Sequence, residues 1–147
     1  MSNVIYRGPV AKEPQTISNR VVAGAYLPGI FVTDDGTTLT VATAADMGKK
    51  LYLLSNREFQ GQDVATAYAS GDTAVAYEPM PGEIYQARMA AATYAIGDEL
   101  TIGADGHLTK VATVGDVTVA YFSGTAGALS AGDLADVSIA TGHRKIA

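Results

Sequence analysis

Tyr94-Ala95-Ile96-Gly97-Asp98-Glu99-Leu100-Thr101-Ile102 joins a tight turn to a run that alternates between two faces. Gly97 supplies the left-handed backbone position that such a turn needs, and the Asp98 side chain can bond the backbone just beyond it. Leu100 and Ile102 then fall on one face of an extended chain, with Thr101 on the other. The pattern recurs three times. Tyr68-Ala69-Ser70-Gly71-Asp72 leads into Thr73–Tyr77, Thr113-Val114-Gly115-Asp116 into Val117–Tyr121, and Leu129-Ser130-Ala131-Gly132-Asp133 into Leu134–Ile139. The spacing is too irregular for a solenoid. It suits hairpins of differing length in a meander or Greek-key arrangement.

Outward from these units, other turns punctuate the chain. Asp34-Asp35-Gly36 separates Ile30-Phe31-Val32 from Thr37–Val41 and reads as a hairpin. Ala104-Asp105-Gly106 separates Leu100-Thr101-Ile102 from His107–Val111 in the same way. Pro81-Gly82 splits Val75–Glu78 from Ile84–Met89. Leu51–Leu54 reads as a short buried strand, and Ser55–Gln62 as a polar loop carrying Arg57 and Glu58. Ala42–Lys50 is the best helix candidate: Thr43 and Asp46 have capping-box spacing, and Gly48 limits it to about two turns. The sum is roughly eight to ten strands with at most one or two short helices. The expected fold is all-β, a small β-barrel or β-sandwich of β-tulip or jelly-roll type.

Residues 1–20 differ in character. Gly8-Pro9 and Glu13-Pro14 break regular structure, and Arg7, Lys12 and Arg20 stand there against the single acid Glu13. This segment reads as an extended, mildly basic N-terminal arm, with residues 21–147 as one β-rich domain. Ile5, Tyr6, Val10 and Ile17 would gain from burial on a partner, and Arg7 and Arg20 would pair with its acids. These six residues are the expected partner-binding set.

Composition narrows the function. The chain has 147 residues, no cysteine, no tryptophan, 16 glycines and a formal net charge of −5. One domain of this length can bury a core without staples, and disulfides and thiolate metal sites are excluded. An acidic body argues against a nucleic-acid surface. No run approaches the roughly 18 apolar residues of a membrane helix, and the N-terminus lacks a signal-peptide pattern. Synthesis in the cytoplasm is expected.

Catalytic patterns are lacking. His107 is expected at a solvated strand start, and His143 lies in the tail Gly142-His143-Arg144-Lys145. Neither has a metal-ligand spacing or an evident acidic partner. There is no G-x-S-x-G elbow, no Walker sequence around Gly48-Lys49-Lys50, and no G-x-G-x-x-G. Asp34-Asp35 and the pair Glu78 and Glu83 sit in turns, where acids are expected anyway. The single acids of the Gly-Asp turns do not form a calcium loop. No catalytic residue, metal, cofactor or small-molecule substrate is expected.

From Lys50 to Gly142 the chain resembles the capsid decoration, or cement, proteins of tailed bacteriophages. Lys50-Leu51-Tyr52-Leu53-Leu54, Asn56-Arg57-Glu58-Phe59, Asp63–Tyr68 and Ser70–Val75 carry the resemblance, with Pro81–Arg88, Tyr94–Leu100 and Gly106-His107-Leu108. The resemblance implies a Gly/Ala/Val-rich barrel without an active site, seated on the outer capsid surface of a virion. It implies contact with the major capsid protein, bridging of its subunits, and a homo-oligomer, with a trimer favoured. The other reading is a binding module of a phage tail or adhesin, recognising a glycan or a host protein.

Overall fold

A computed structural model describes residues 3–145. Its strands are β1 (Tyr6–Gly8), β2 (Thr16–Val22), β3 (Phe31–Asp34), β4 (Thr38–Val41), β5 (Tyr52–Leu54), β6 (Thr73–Tyr77) and β7 (Ile84–Arg88). They continue as β8 (Ala92–Tyr94), β9 (Glu99–Ile102), β10 (Leu108–Lys110), β11 (Ala120–Phe122), β12 (Gly127–Leu129) and β13 (Leu134–Ile139). The described residues form no α-helix, and the fold is all-β as the turn series predicts.

Five strands close a barrel in the order β2-β4-β3-β5-β6, with β2 and β4 parallel. Beside it lies a six-stranded antiparallel sheet, β1-β7-β13-β11-β9-β10, and a ribbon of β12 and β8. Two cores result. Val22, Ile30, Val32, Leu39, Tyr52, Leu54, Tyr68, Ala74 and Ala76 fill the barrel. Phe31, Ala42 and Leu53 face the other way and pack with Tyr85, Leu100, Leu108, Phe122 and Val137 of the sheet. Residues alternate in facing along a strand, so β3 and β5 serve both cores. That explains why Tyr52, Leu53 and Leu54 are all buried.

The Gly-Asp turns share one geometry. Gly71, Gly97, Gly115 and Gly132 have φ of 88°, 88°, 98° and 90°, where a side chain would be strained. In each, the Asp amide donates to the carbonyl three residues back, as Asp98 does to Ala95 at 3.1 Å. The Asp carboxylate reaches backward, not to the backbone beyond it as the sequence suggests: Ala69, Ala95, Thr113 and Ser130 donate their amides to Asp72, Asp98, Asp116 and Asp133 at 3.0, 2.8, 3.0 and 2.8 Å. Each turn thus pins its own first residue, leaving the outgoing strand free to pair. Met80-Pro81-Gly82-Glu83 repeats the geometry with Glu in place of Asp, the Met80 amide donating to Glu83 at 2.8 Å.

Three sequence expectations change. The helix over Ala42–Lys50 shrinks to one 3-10 turn, Ala44–Asp46, because Ala42 is still bonded to Phe31 O and Gly48 follows. Pro81-Gly82 is a crossover, not a hairpin: β6 already has β2 and β5 on its two edges, so β7 finds β1 and β13 in the other sheet. The strand expected over Val117–Tyr121 begins only at Ala120, since Thr118 bonds His143 O and Val117 bridges to Arg144. The hairpins around Asp35-Gly36 and Asp105-Gly106 stand as expected. At the second, Gly106 lies so close to the barrel that a Cβ would meet Phe31 O at 2.6 Å.

Candidate interaction surfaces

The N-terminal segment is built into the body. Tyr6 pairs with Tyr85 and Gly8 with Ile84, adding β1 to the edge of the six-stranded sheet. Ile5 is fully buried in the chain's own core, and its carbonyl accepts from Gln86. Further on, Thr16–Val22 is a barrel strand that crosses the expected domain boundary at residue 20. Described residues 3–20 therefore do not stand off as an arm. The physical reason is that Ile5 finds an apolar site within its own chain, and burial there carries none of the entropy cost of association.

The expected partner-binding residues divide accordingly. Ile5 and Arg20 are satisfied internally, Arg20 Nε donating to Asp34 Oδ1 at 2.8 Å. Ile17 packs against the barrel core, and Tyr6 against the sheet core. Arg7 pairs on the surface with Asp136 at 3.2 Å. Val10 alone is turned wholly outward, at 97% exposure.

Val10 sits on a loop that is tied down at both sides. Tyr6 OH donates to Pro9 O at 2.7 Å, and the Lys12 ammonium reaches Glu83 at 3.1 Å. The rings of Tyr6, Tyr77 and Tyr85 cluster beneath, with centroids 5.3 to 6.0 Å apart. Glu83, expected as a turn acid in solvent, is buried to 1% exposure of its side chain. Burial alone would raise its carboxyl, but bonds from Met80 N–H and Tyr85 OH and the Lys12 charge hold it below its ordinary value.

Ser55–Gln62 turns the usual order inside out. Ser55, Asn56 and Gln62 are buried, whereas Phe59 is 75% exposed. Asn56 Nδ2 donates to Gln62 O at 2.8 Å, Arg57 N–H to Gln62 Oε1 at 2.8 Å, and Gln62 Nε2 to Thr66 O at 2.9 Å. Backbone bonds from Gln60 to Arg57 O and from Gly61 to Glu58 O close the turn. Glu58, beside Phe59, is exposed and makes no ion pair among the described residues.

A cleft of about 340 Å3 opens between the barrel and the sheet. Met47, Leu51, Val117, Val119 and Ile139 give it an apolar lining, and Lys49 and Arg144 are its cations. Lys49 is paired with Asp46 at 2.8 Å. Arg144 donates to Gly115 O at 3.0 Å and faces no carboxylate partner among the described residues.

Deeper in the body, Arg88 is 9% exposed and bonds only carbonyls: Nε to Pro28 O and Nη1 to Gly132 O, both at 2.8 Å, and Nη2 to Val64 O. It clamps three loops together. His107 is half-buried near Tyr26, Ile30 and Val41 rather than solvated, and burial lowers its pKa. His143 lies on the surface, 2.9 Å from Glu99. No three His, Asp or Glu side chains gather to hold a metal among the described residues.

No family model matches the chain, and no curated protein matches it. Among solved structures, the fold is similar to the N base of the head fiber protein gp8.5 of bacteriophage phi29. The TM-score is 0.57 at 14% identity, and the match covers 87% of this chain and 95% of that one. At that identity the likeness is one of fold.

Proposed function

We propose that this chain is a non-enzymatic structural protein of a phage virion. It decorates the outer capsid surface as a homo-oligomer, a trimer by preference, and stabilises the shell by bridging major capsid protein subunits. The observation that carries this reading is the fold shared with a phage head-fiber base over nearly the whole of both chains. The Lys50–Gly142 turn grammar and the tightly cross-bonded, cysteine-free body agree with it. The contact with the shell is assigned to the Val10 loop, whose apolar tip points into solvent while Lys12 and Pro9 fix its base.

Purified protein mixed with expanded phage heads that lack decoration tests this directly. The protein is expected to co-sediment with the heads at saturating stoichiometry and to raise the temperature at which they rupture. Val10→Asp is expected to weaken that binding while leaving the melting curve of the free protein unchanged. Failure to bind decoration-free heads of a matched phage would overturn the reading.

A further inference from the structure

Phe59 and Glu58 form an exposed knob, and Glu58 makes no ion pair among the described residues. The knob is rigid, because three buried polar side chains, Ser55, Asn56 and Gln62, underlie it and two of them bond across its neck. Exposed apolar residues are common on protein surfaces. An aromatic ring held outward by a dedicated, cross-bonded loop is different, since such a ring is ordered before it binds and loses little freedom when it does. Rigid aromatic anchors of this kind dominate interface energetics.

The cleft between barrel and sheet has the opposite character. It offers apolar Met47, Leu51 and Val119 that are each only partly covered, with Arg144, which has no carboxylate partner among the described residues, at its edge. On a chain of net charge −5, a cationic rim is a local exception. Among the described residues, the knob carries a carboxylate without an ion pair beside an aromatic ring, and the cleft carries a guanidinium without a carboxylate partner beside partly covered apolar side chains. Leu51 lines the cleft just before β5, and Arg57 opens the knob just after it, so the two features lie at opposite ends of that strand.

We infer that the cleft receives the knob of a second copy, with Phe59 against Met47, Leu51 and Val119 and Glu58 paired to Arg144. The contact is heterologous: each copy donates a knob at one end and a cleft at the other, the geometry that makes rings when the rotation closes. Among the described residues neither Glu58 nor Arg144 has an ion-pair partner, and their charges are opposite, which favours a second copy over a foreign partner. The inference rests on the homo-oligomer reading and adds its interface.

Analytical ultracentrifugation of the full chain over a range of concentrations decides the matter. Phe59→Ala and Arg144→Glu are each expected to weaken self-association by about tenfold or more. Combining Glu58→Arg with Arg144→Glu is expected to restore much of it. A mixture of Phe59→Ala with Arg144→Glu leaves one intact knob and one intact cleft, and is expected to give heterodimers and nothing larger. Circular dichroism melts confirm that each variant is folded. Wild-type oligomers indifferent to all of these substitutions would overturn the interface and leave the homo-oligomer reading standing. A wild-type chain monomeric at every concentration would overturn both. Variants that stay oligomeric but lose binding to phage heads would overturn the interface and move the knob to the capsid contact.

Discussion

The Gly-Asp turns and the Ser55–Gln62 loop solve the same problem in opposite ways. In the turns, polar side chains lie outside and bond their own backbone, as Asp98 bonds Ala95 N–H. In the loop, Asn56 and Gln62 are buried to hold the backbone from within, and Phe59 is left outside. A turn that ends one strand and starts the next needs only local bonds. In the interface proposed above, a loop that buries amides to expose an aromatic ring presents that ring to a second copy. The inversion, not the exposed ring alone, separates a connecting segment from a presenting one.

Arg88 joins the two kinds of region, bonding Gly132 O in a Gly-Asp turn and Val64 O just past the loop. Arg88→Ala is expected to have the largest effect, a loss of about 3 kcal/mol or more in chemical denaturation. It removes charge-assisted bonds and strands buried carbonyls. Asn56→Ala comes next, at about 1–3 kcal/mol, because it leaves the Gln62 carbonyl without its buried donor. It also frees the knob, so amide exchange at Arg57–Gly61 is expected to quicken. Gly97→Ala tests the other side of the comparison. A Cβ at Gly97 meets nothing within 4 Å, so only the left-handed backbone strain acts, about 1–2 kcal/mol.

The Met80–Glu83 turn stands between the two types, since its acid is buried. Its folded pKa is depressed, so its contribution is present above the unfolded carboxylate value of about 4.3 and is lost as pH falls through the folded value. Melting temperatures of the wild type are expected to fall through that acidic range, with a shallower fall in Glu83→Gln. The smallest effect on stability is expected from Phe59→Ala, within about 0.5 kcal/mol when melts are run at concentrations where the chain is monomeric. A larger loss would mean that the ring supports its own loop, and the contrast between connecting and presenting segments would collapse.

The turn series was readable because glycine at a left-handed position and an acid beside it are local requirements. So were the hairpins at Asp35-Gly36 and Asp105-Gly106, and the buried run Tyr52-Leu53-Leu54. What escaped a linear reading depends on distant partners. Ile5 looked like an apolar residue awaiting another protein because its site is assembled from residues such as Tyr85, far along the chain. Glu83 looked solvated because nothing near it in sequence announces Lys12 or a buried setting. The inverted loop was equally hidden: Ser55, Asn56 and Gln62 read as polar and therefore external. An aromatic residue among polar ones, Glu58-Phe59-Gln60, was the available sign. The cleft combines Met47 with Val119 and Arg144, three separate stretches, and has no sequence signature.

The pairing of β1 with β7 imposes an order in time. As the chain emerges from the ribosome, β2 to β6 supply every strand of the barrel before β7 exists. β1 must therefore wait, and Ile5 can reach its buried place only after the barrel strands have been synthesised. During that interval β1 has no strand to pair with. Any partner that met the nascent protein would find the N-terminal strand free, whereas one that met the finished protein would find it sewn in.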